Sequence, residues 1–122
     1  MMIANIMVGI CESLMFAHKS GLDASQLIPL LSQGGAKSWW LENCGMPMMR
    51  KDYEPGFQVD LFVKDLGLAL DECRRMKLSV AGTAQAYQLY TILMAQGKGK
   101  KGIHCLIQAL EDLNRCEIPK YQ

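Results

Sequence analysis

Lys64 and Asp65 set an ammonium beside a carboxylate in an otherwise apolar-periodic run that starts at Pro55-Gly56-Phe57 and continues through Leu61, Leu66, Leu68, Ala69 and Leu70. A lysine on a flexible stem carries an ammonium able to donate hydrogen bonds, and Lys64–Asp65 is the only ionised pair in a run that otherwise reads as buried. Leu61, Lys64, Asp65, Leu68 and Glu72 recur at steps of three or four, which places them along one side of a helix. Spacing alone favours a core helix whose one lysine reaches out to solvent.

The remaining reactive residue types form no constellation. His18 and His104 fall at the ends of different predicted helices, with no carboxylate at a metal-ligand offset, and read as surface or boundary residues. Asp71 and Glu72 are adjacent, so their side chains diverge on a helix and make no paired acid–base site. No Gly-x-Ser-x-Gly elbow occurs to activate a serine. Gly97-Lys98-Gly99-Lys100-Lys101-Gly102 has the composition of a phosphate loop, but its spacing fits no P-loop and no apolar strand precedes it. Cys11, Cys44, Cys73, Cys105 and Cys116 are odd in number, scattered, and contain no Cys-x-x-Cys pair. They argue against zinc or a disulfide framework and for a reducing, cytoplasmic setting.

The elements that must position these residues are all helical. Ile3, Ile6, Met7, Ile10, Leu14 and Ala17 predict a helix from Met2 to about Ser20, with no capping residue before it and Gly21 to stop it. Asp23 or Ser25 is the expected cap of a second helix through Leu31, with Pro29 near its first turn. Lys37 to about Asn43 reads as a third helix. It carries Trp39 and Trp40, and adjacent positions on a helix cannot both face one core, so one tryptophan belongs at an interface or cleft. Gly45 to Gly56, with Pro47 and Pro55, reads as irregular. Phe57 to Lys77 is the long helix around which the chain is organised. Thr83 is a candidate cap for a helix to about Gln96, and Ile103 to Asn114 is the last helix, followed by a tail from Cys116. No β-branched run with period two lies between turn signals, so no sheet is expected. The fold class is all-α, a bundle of about six helices with short connections.

Composition narrows the function class. The 122 residues support one domain, half hydrophobic and a fifth charged, with net charge +1. Such a charge builds no field that recruits nucleic acid or an anionic membrane. No apolar run approaches the length of a bilayer span. The apolar N-terminus has no basic lead-in and carries Glu12 and His18, unlike a signal peptide, and it starts in mid-pattern like a piece of a longer helix. Nine methionines suggest an adaptable core.

Gly56-Phe57, Leu61, Lys64-Asp65-Leu66 and Leu68-Ala69 together resemble the C-terminal signature of the β-hydroxyacid dehydrogenases, the family of 3-hydroxyisobutyrate dehydrogenase. Cys11-Glu12-Ser13-Leu14 running into Lys19-Ser20-Gly21-Leu22-Asp23 is similar to that family's interdomain helix. Ser38-Trp39-x-Leu41 and then Met48-Met49-x-Lys51-Asp52-Tyr53-x-Pro55-Gly56-Phe57 resemble the approach to the lysine helix in one bacterial-type branch. Leu89-Tyr90, Gly97, Lys101 and Leu110-Glu111 continue the series. The resemblance implies a fold like the C-terminal domain of 6-phosphogluconate dehydrogenase, occupying residues 1–122 and joined in the intact enzyme to an N-terminal Rossmann domain that binds NAD or NADP. No Gly-x-Gly-x-x-Gly occurs here, so that domain is not in this chain.

By the same resemblance, Lys64 reaches the cofactor near its reactive end, Phe57 packs at the cofactor's edge and Asp65 orients the region. Ser38 and Trp39 line the substrate side. The family's catalytic lysine aligns upstream of Met1, and Asn5 stands too close to Glu12 to match the asparagine that follows it, so no catalytic residue is expected within the chain. The expected function is hydride transfer between a small β-hydroxy acid and a nicotinamide cofactor by the intact enzyme, with the fragment alone inactive and self-associating as a homo-oligomer. The alternatives are a non-catalytic helical oligomerisation scaffold and a helical adaptor with an apolar groove that has no need of Lys64.

Overall fold

The longest helix, α1 (Met2–Lys19), buries Ala4, Met7, Ile10, Cys11 and Leu14 along one stripe. It is the central element, packing against α2 (Ala24–Leu31), α3 (Trp39–Met49), α5 (Ala81–Ala95) and α6 (Leu106–Leu113). The computed structural model describes residues 1–122, and all of its regular elements are helical. Its one extended contact is an isolated antiparallel bridge between Gln58 and Gly102. The helix expected to organise the chain, α4 (Val59–Arg75), is peripheral instead and packs chiefly on α5. It buries Val59, Phe62, Leu66 and Cys73, while the side carrying Leu61, Lys64, Asp65, Leu68 and Glu72 faces outward. That side is therefore no core stripe.

Local chemistry sets most boundaries as expected. Leu22 N–H donates to the Ala17 carbonyl (2.9 Å) and Gly21 N–H to the His18 carbonyl (3.0 Å), with Gly21 at φ 77°, a Schellman close to α1. Asp23 Oδ1 accepts from the Ser25 amide (2.9 Å) and hydroxyl (2.6 Å), which caps α2 and holds the Asp23 carboxyl below its ordinary range. Pro29 sits in the second turn of that helix rather than its first.

Three expectations are corrected. The stretch read as irregular from Gly45 is helical as far as Met49, with Gly45 and Pro47 inside α3. A Cβ on Gly45 would stand 3.1 Å from Ile28, so the glycine marks the close approach of α2 to α3 rather than a break. Thr83 does not cap α5; it lies within that helix, buried, with the Asn5 amide 3.4 Å from its hydroxyl. His104 is not a surface residue. It is buried in a 3₁₀ turn, Ile103–Cys105, that leads into α6.

Two irregular segments, 52–58 and 99–104, are stitched together by backbone. Gly102 N–H donates to Tyr53 O (2.9 Å), Ile103 N–H to Phe57 O (3.0 Å), Val59 N–H to Lys101 O (3.0 Å) and Asp60 N–H to Gly99 O (2.9 Å). His104 Nε2 lies 2.8 Å from the Asp52 carbonyl. A Cβ on Gly102 would come within 2.5 Å of the His104 ring, so glycine is required for the ring to tuck back.

Candidate functional site

This stitched seam, together with the first half of α3, encloses a cavity of about 350 Å³. It is lined by Trp39, Trp40 and Asn43 of α3, by Asp52, Glu54 and Phe57 of the following segment, and by Ile103 and His104 of the 3₁₀ turn. Ser38 does not line this cavity but another, with Leu31 and Leu41, and it caps α3 by accepting the Leu41 amide on its Oγ at 3.0 Å. The two indole rings meet edge to face, centroids 4.8 Å apart and planes at 78°. Trp39 is 62% exposed, and Trp40 is partly buried against the core. The expectation that one of the pair lies at a cleft is met by Trp39, and Trp40 lines the same cleft.

Phe57 is held by a chain of aromatic contacts into the core. Its ring meets Phe62 edge to face at 5.8 Å, Phe62 meets Tyr90 in the same way at 5.0 Å, and the Tyr90 hydroxyl donates to the Ile103 carbonyl at 3.0 Å. Burial pushes the Tyr90 phenol far above its ordinary pKa, so it serves as a hydroxyl donor only. Tyr53 lies under the seam with a buried hydroxyl that has no partner, and burial raises its pKa too.

The structure thus brings Trp39 and Phe57 into one cavity and leaves Lys64 and Asp65 apart from it. Lys64 Nζ pairs with Asp65 Oδ1 at 3.0 Å on the open side of α4, both side chains more than half exposed. Leu61 and Leu68 flank the pair at 45% and 63% exposure. The ammonium is thus held only by its own neighbour, beside two exposed leucines. Asp71 and Glu72 do diverge, one pairing with Arg74 (2.9 Å) and the other with Arg75 (3.1 Å). The sequence reading missed Asn43, Asp52, Glu54 and His104 as cavity residues. The Gly102-x-His104 spacing carried the one available signal, a glycine whose missing side chain makes room for the ring.

The helical arrangement is that of known dehydrogenases. A 3-hydroxyisobutyrate dehydrogenase from Salmonella typhimurium superposes with a TM-score of 0.80 at 25% identity, over 87% of this chain and 38% of that one. A Mycobacterium tuberculosis 3-hydroxyisobutyrate dehydrogenase with L-serine shares the fold at TM-score 0.80 and 24% identity, covering 89% of this chain and 40% of that one. The fold is that of the helical part of these dehydrogenases. A family model described as "NAD-binding of NADP-dependent 3-hydroxyisobutyrate dehydrogenase" matches residues 1–110, and the chain belongs to that family. The "probable 3-hydroxyisobutyrate dehydrogenase-like 1, mitochondrial" of Arabidopsis thaliana is 44% identical over 116 residues, 95% of this chain and 35% of the relative. The 2-hydroxy-3-oxopropionate reductase of Escherichia coli is 35% identical over 102 residues, 84% of this chain and 35% of the relative. The chain spans about a third of the length of these curated relatives. No helix is long and apolar enough to cross a membrane.

Proposed function

We propose that residues 1–122 are the helical C-terminal domain of an NAD(P)-dependent β-hydroxyacid dehydrogenase, cytoplasmic, whose Rossmann domain lies outside this sequence. The observation that carries this reading is the family match over residues 1–110, on a chain a third the length of its relatives. The bare Leu61–Lys64–Leu68 side of α4 supports it from the structure, because that side stands open to a cofactor domain. When bound, the nicotinamide supplies the hydride acceptor. Lys64 would donate hydrogen bonds from its ammonium to cofactor oxygens, with Asp65 orienting that ammonium. Phe57 packs at the cofactor's edge. Trp39 offers an indole face to the substrate, and Ser38, its oxygen already used by Leu41, retains its O–H as a donor. None of the chain's residues is assigned the proton transfer, so the isolated domain is inactive.

The test joins this chain to the Rossmann portion of the Arabidopsis relative and follows reduced nicotinamide with 3-hydroxyisobutyrate. Turnover by the fusion and none by the isolated chain is the expected pair of results. Lys64→Ala should lower kcat/KM by roughly tenfold, equivalent to about 1.4 kcal/mol of transition-state binding. A folded fusion that never turns over would favour the scaffold reading instead. Self-association belongs to the same proposal: Phe16 on α1, Leu22 in the connection and Leu30 on α2 are bare, beside an apolar groove that includes Leu27 and Leu31. Sedimentation should show a homo-oligomer that Phe16→Asp weakens.

A further inference from the structure

We propose that His104 recognises the hydroxyl group of a β-hydroxy acid in the cavity between α3 and the 52–58 segment, with its Nδ1 as the hydrogen-bond acceptor. The inference rests on the dehydrogenase reading for the class of ligand, and it adds a specificity-determining residue to which that reading gives no role. His104 is only 7% exposed, yet it lines the cavity together with Trp39 and Phe57. Its Nε2 lies 2.8 Å from the Asp52 carbonyl oxygen. A carbonyl oxygen can only accept, so Nε2 carries the ring proton and Nδ1 holds a lone pair. That Nδ1 makes no hydrogen bond within the chain. A buried ring fixed at one nitrogen and bare at the other is a preset acceptor, and leaving such an acceptor without a partner is costly.

Gly102 keeps the acceptor uncovered, because a Cβ at that position would stand 2.8 Å from Nδ1. The ring also packs on Tyr53, with centroids 5.7 Å apart, so its orientation is set before any ligand arrives. Charge then decides which end of the ligand comes in. No lysine or arginine lines the cavity, whereas the exposed carboxylates of Asp52 and Glu54 do. A β-hydroxy acid therefore enters hydroxyl end first and leaves its own carboxylate toward the opening, away from those two. Its carbons meet the rings of Trp39, Trp40 and Phe57. His104 accepts a hydrogen bond and moves no proton, so the contact selects and orients the hydroxyl without reacting with it.

The chain has two histidines, so imidazole nitrogen NMR of all 122 residues can follow His104 with His18 as the internal reference. The free chain should show the Nε2-protonated tautomer at His104. Adding 3-hydroxyisobutyrate should move the Nδ1 signal saturably toward its hydrogen-bonded position. Isobutyrate, which lacks only the hydroxyl, should leave that signal unmoved and bind roughly tenfold more weakly, read from the emission of the two tryptophans that line the cavity. His104→Gln keeps an N–H at the Nε2 position for the Asp52 carbonyl and removes the Nδ1 lone pair. The two ligands should then bind alike, at the isobutyrate level. In the fusion with the Arabidopsis Rossmann portion, the same substitution should raise KM for 3-hydroxyisobutyrate roughly tenfold with kcat unchanged. An Nδ1-protonated ring, an Nδ1 signal indifferent to 3-hydroxyisobutyrate, or equal binding of both ligands by the unaltered chain would overturn the assignment. No nicotinamide or Rossmann domain enters the NMR experiment, so its failure leaves the dehydrogenase reading intact, and an inactive fusion leaves the His104 contact standing.

Discussion

Lys51 shows how much a single side chain holds together here. It occupies the left-handed region at φ 56°, just past the end of α3, and its ammonium bonds the carboxylate of Glu111, which is buried on α6. The same Glu111 Oε1 accepts the Ile118 amide at 2.9 Å, so one ion pair joins α3, α6 and the C-terminal tail. Removing one partner of a buried pair leaves the other charge uncompensated, which costs far more than the net value of the pair. Lys51→Met should therefore destabilise the fold by about 3 kcal/mol, read as a lowered urea midpoint with an unchanged slope. Glu111→Ala should be as damaging, because it also orphans the tail amide.

At the scale of elements, the helix ends carry the most instructive chemistry. α1, α3, α4, α5 and α6 all close with the Schellman pair of bonds, yet only Gly21 and Gly97 have glycine at the left-handed position. Lys51, Lys77 and Arg115 adopt φ of 56°, 56° and 47° against the preference of any residue with a Cβ. Lys77 makes no ion pair, so Lys77→Gly relieves that strain at no cost in contacts. The relief is offset in part by the greater freedom of glycine in the unfolded chain. The expected gain is about 0.5–1 kcal/mol, visible as a raised melting temperature.

The opposite end of α4 gives a pH signature. Lys100 Nζ donates to Asp60 Oδ2 at 2.6 Å and the Leu61 amide to Oδ1 at 2.7 Å, which holds the Asp60 carboxyl below its ordinary range. The folded pKa lies below the unfolded one, so this contribution is complete above about pH 5 and disappears as pH falls through the depressed folded value. Asp60→Asn should differ from the parent by a constant amount at neutral pH and converge with it in acid. Chemical denaturation at a series of pH values measures this, and a gap that widened toward low pH would contradict it.

For the whole molecule, the tail from Cys116 is a structural strap. Ile118 is buried, and the Tyr121 amide donates to the Met49 carbonyl at 2.8 Å, clamping the end of α3 from outside the bundle. Deleting residues 116–122 removes that buried isoleucine, worth about 2 kcal/mol by area, and strips Glu111 of an amide partner. Truncation after Arg115 should lower stability by about 3 kcal/mol in all, with the helical content retained. The matched family region ends at residue 110, so this strap lies beyond it.

The sequence by itself determined the helical class, three of the six helices to within about two residues, and the glycine stop at Gly21, because periodicity, capping and glycine conformation are local properties; it narrowed the α2 cap to Asp23 or Ser25. It also carried the family, through an ordered series of short motifs rather than any single residue. The tertiary structure decided which helix is central and which face is bare. A stripe of leucines at helical spacing has the same pattern whether it packs on a neighbour or awaits one, so Leu61 and Leu68 could not be sorted in advance. It decided too that α3 runs through Gly45 and Pro47, since only the proximity of Ile28 explains the glycine. His104, Asp52 and Glu54 became cavity residues only when two segments some fifty residues apart were stitched by backbone bonds. Apart from the His104 ring, those bonds are made by backbone groups common to nearly all residues, and beyond the Gly102-x-His104 spacing they leave no mark in the order of side chains.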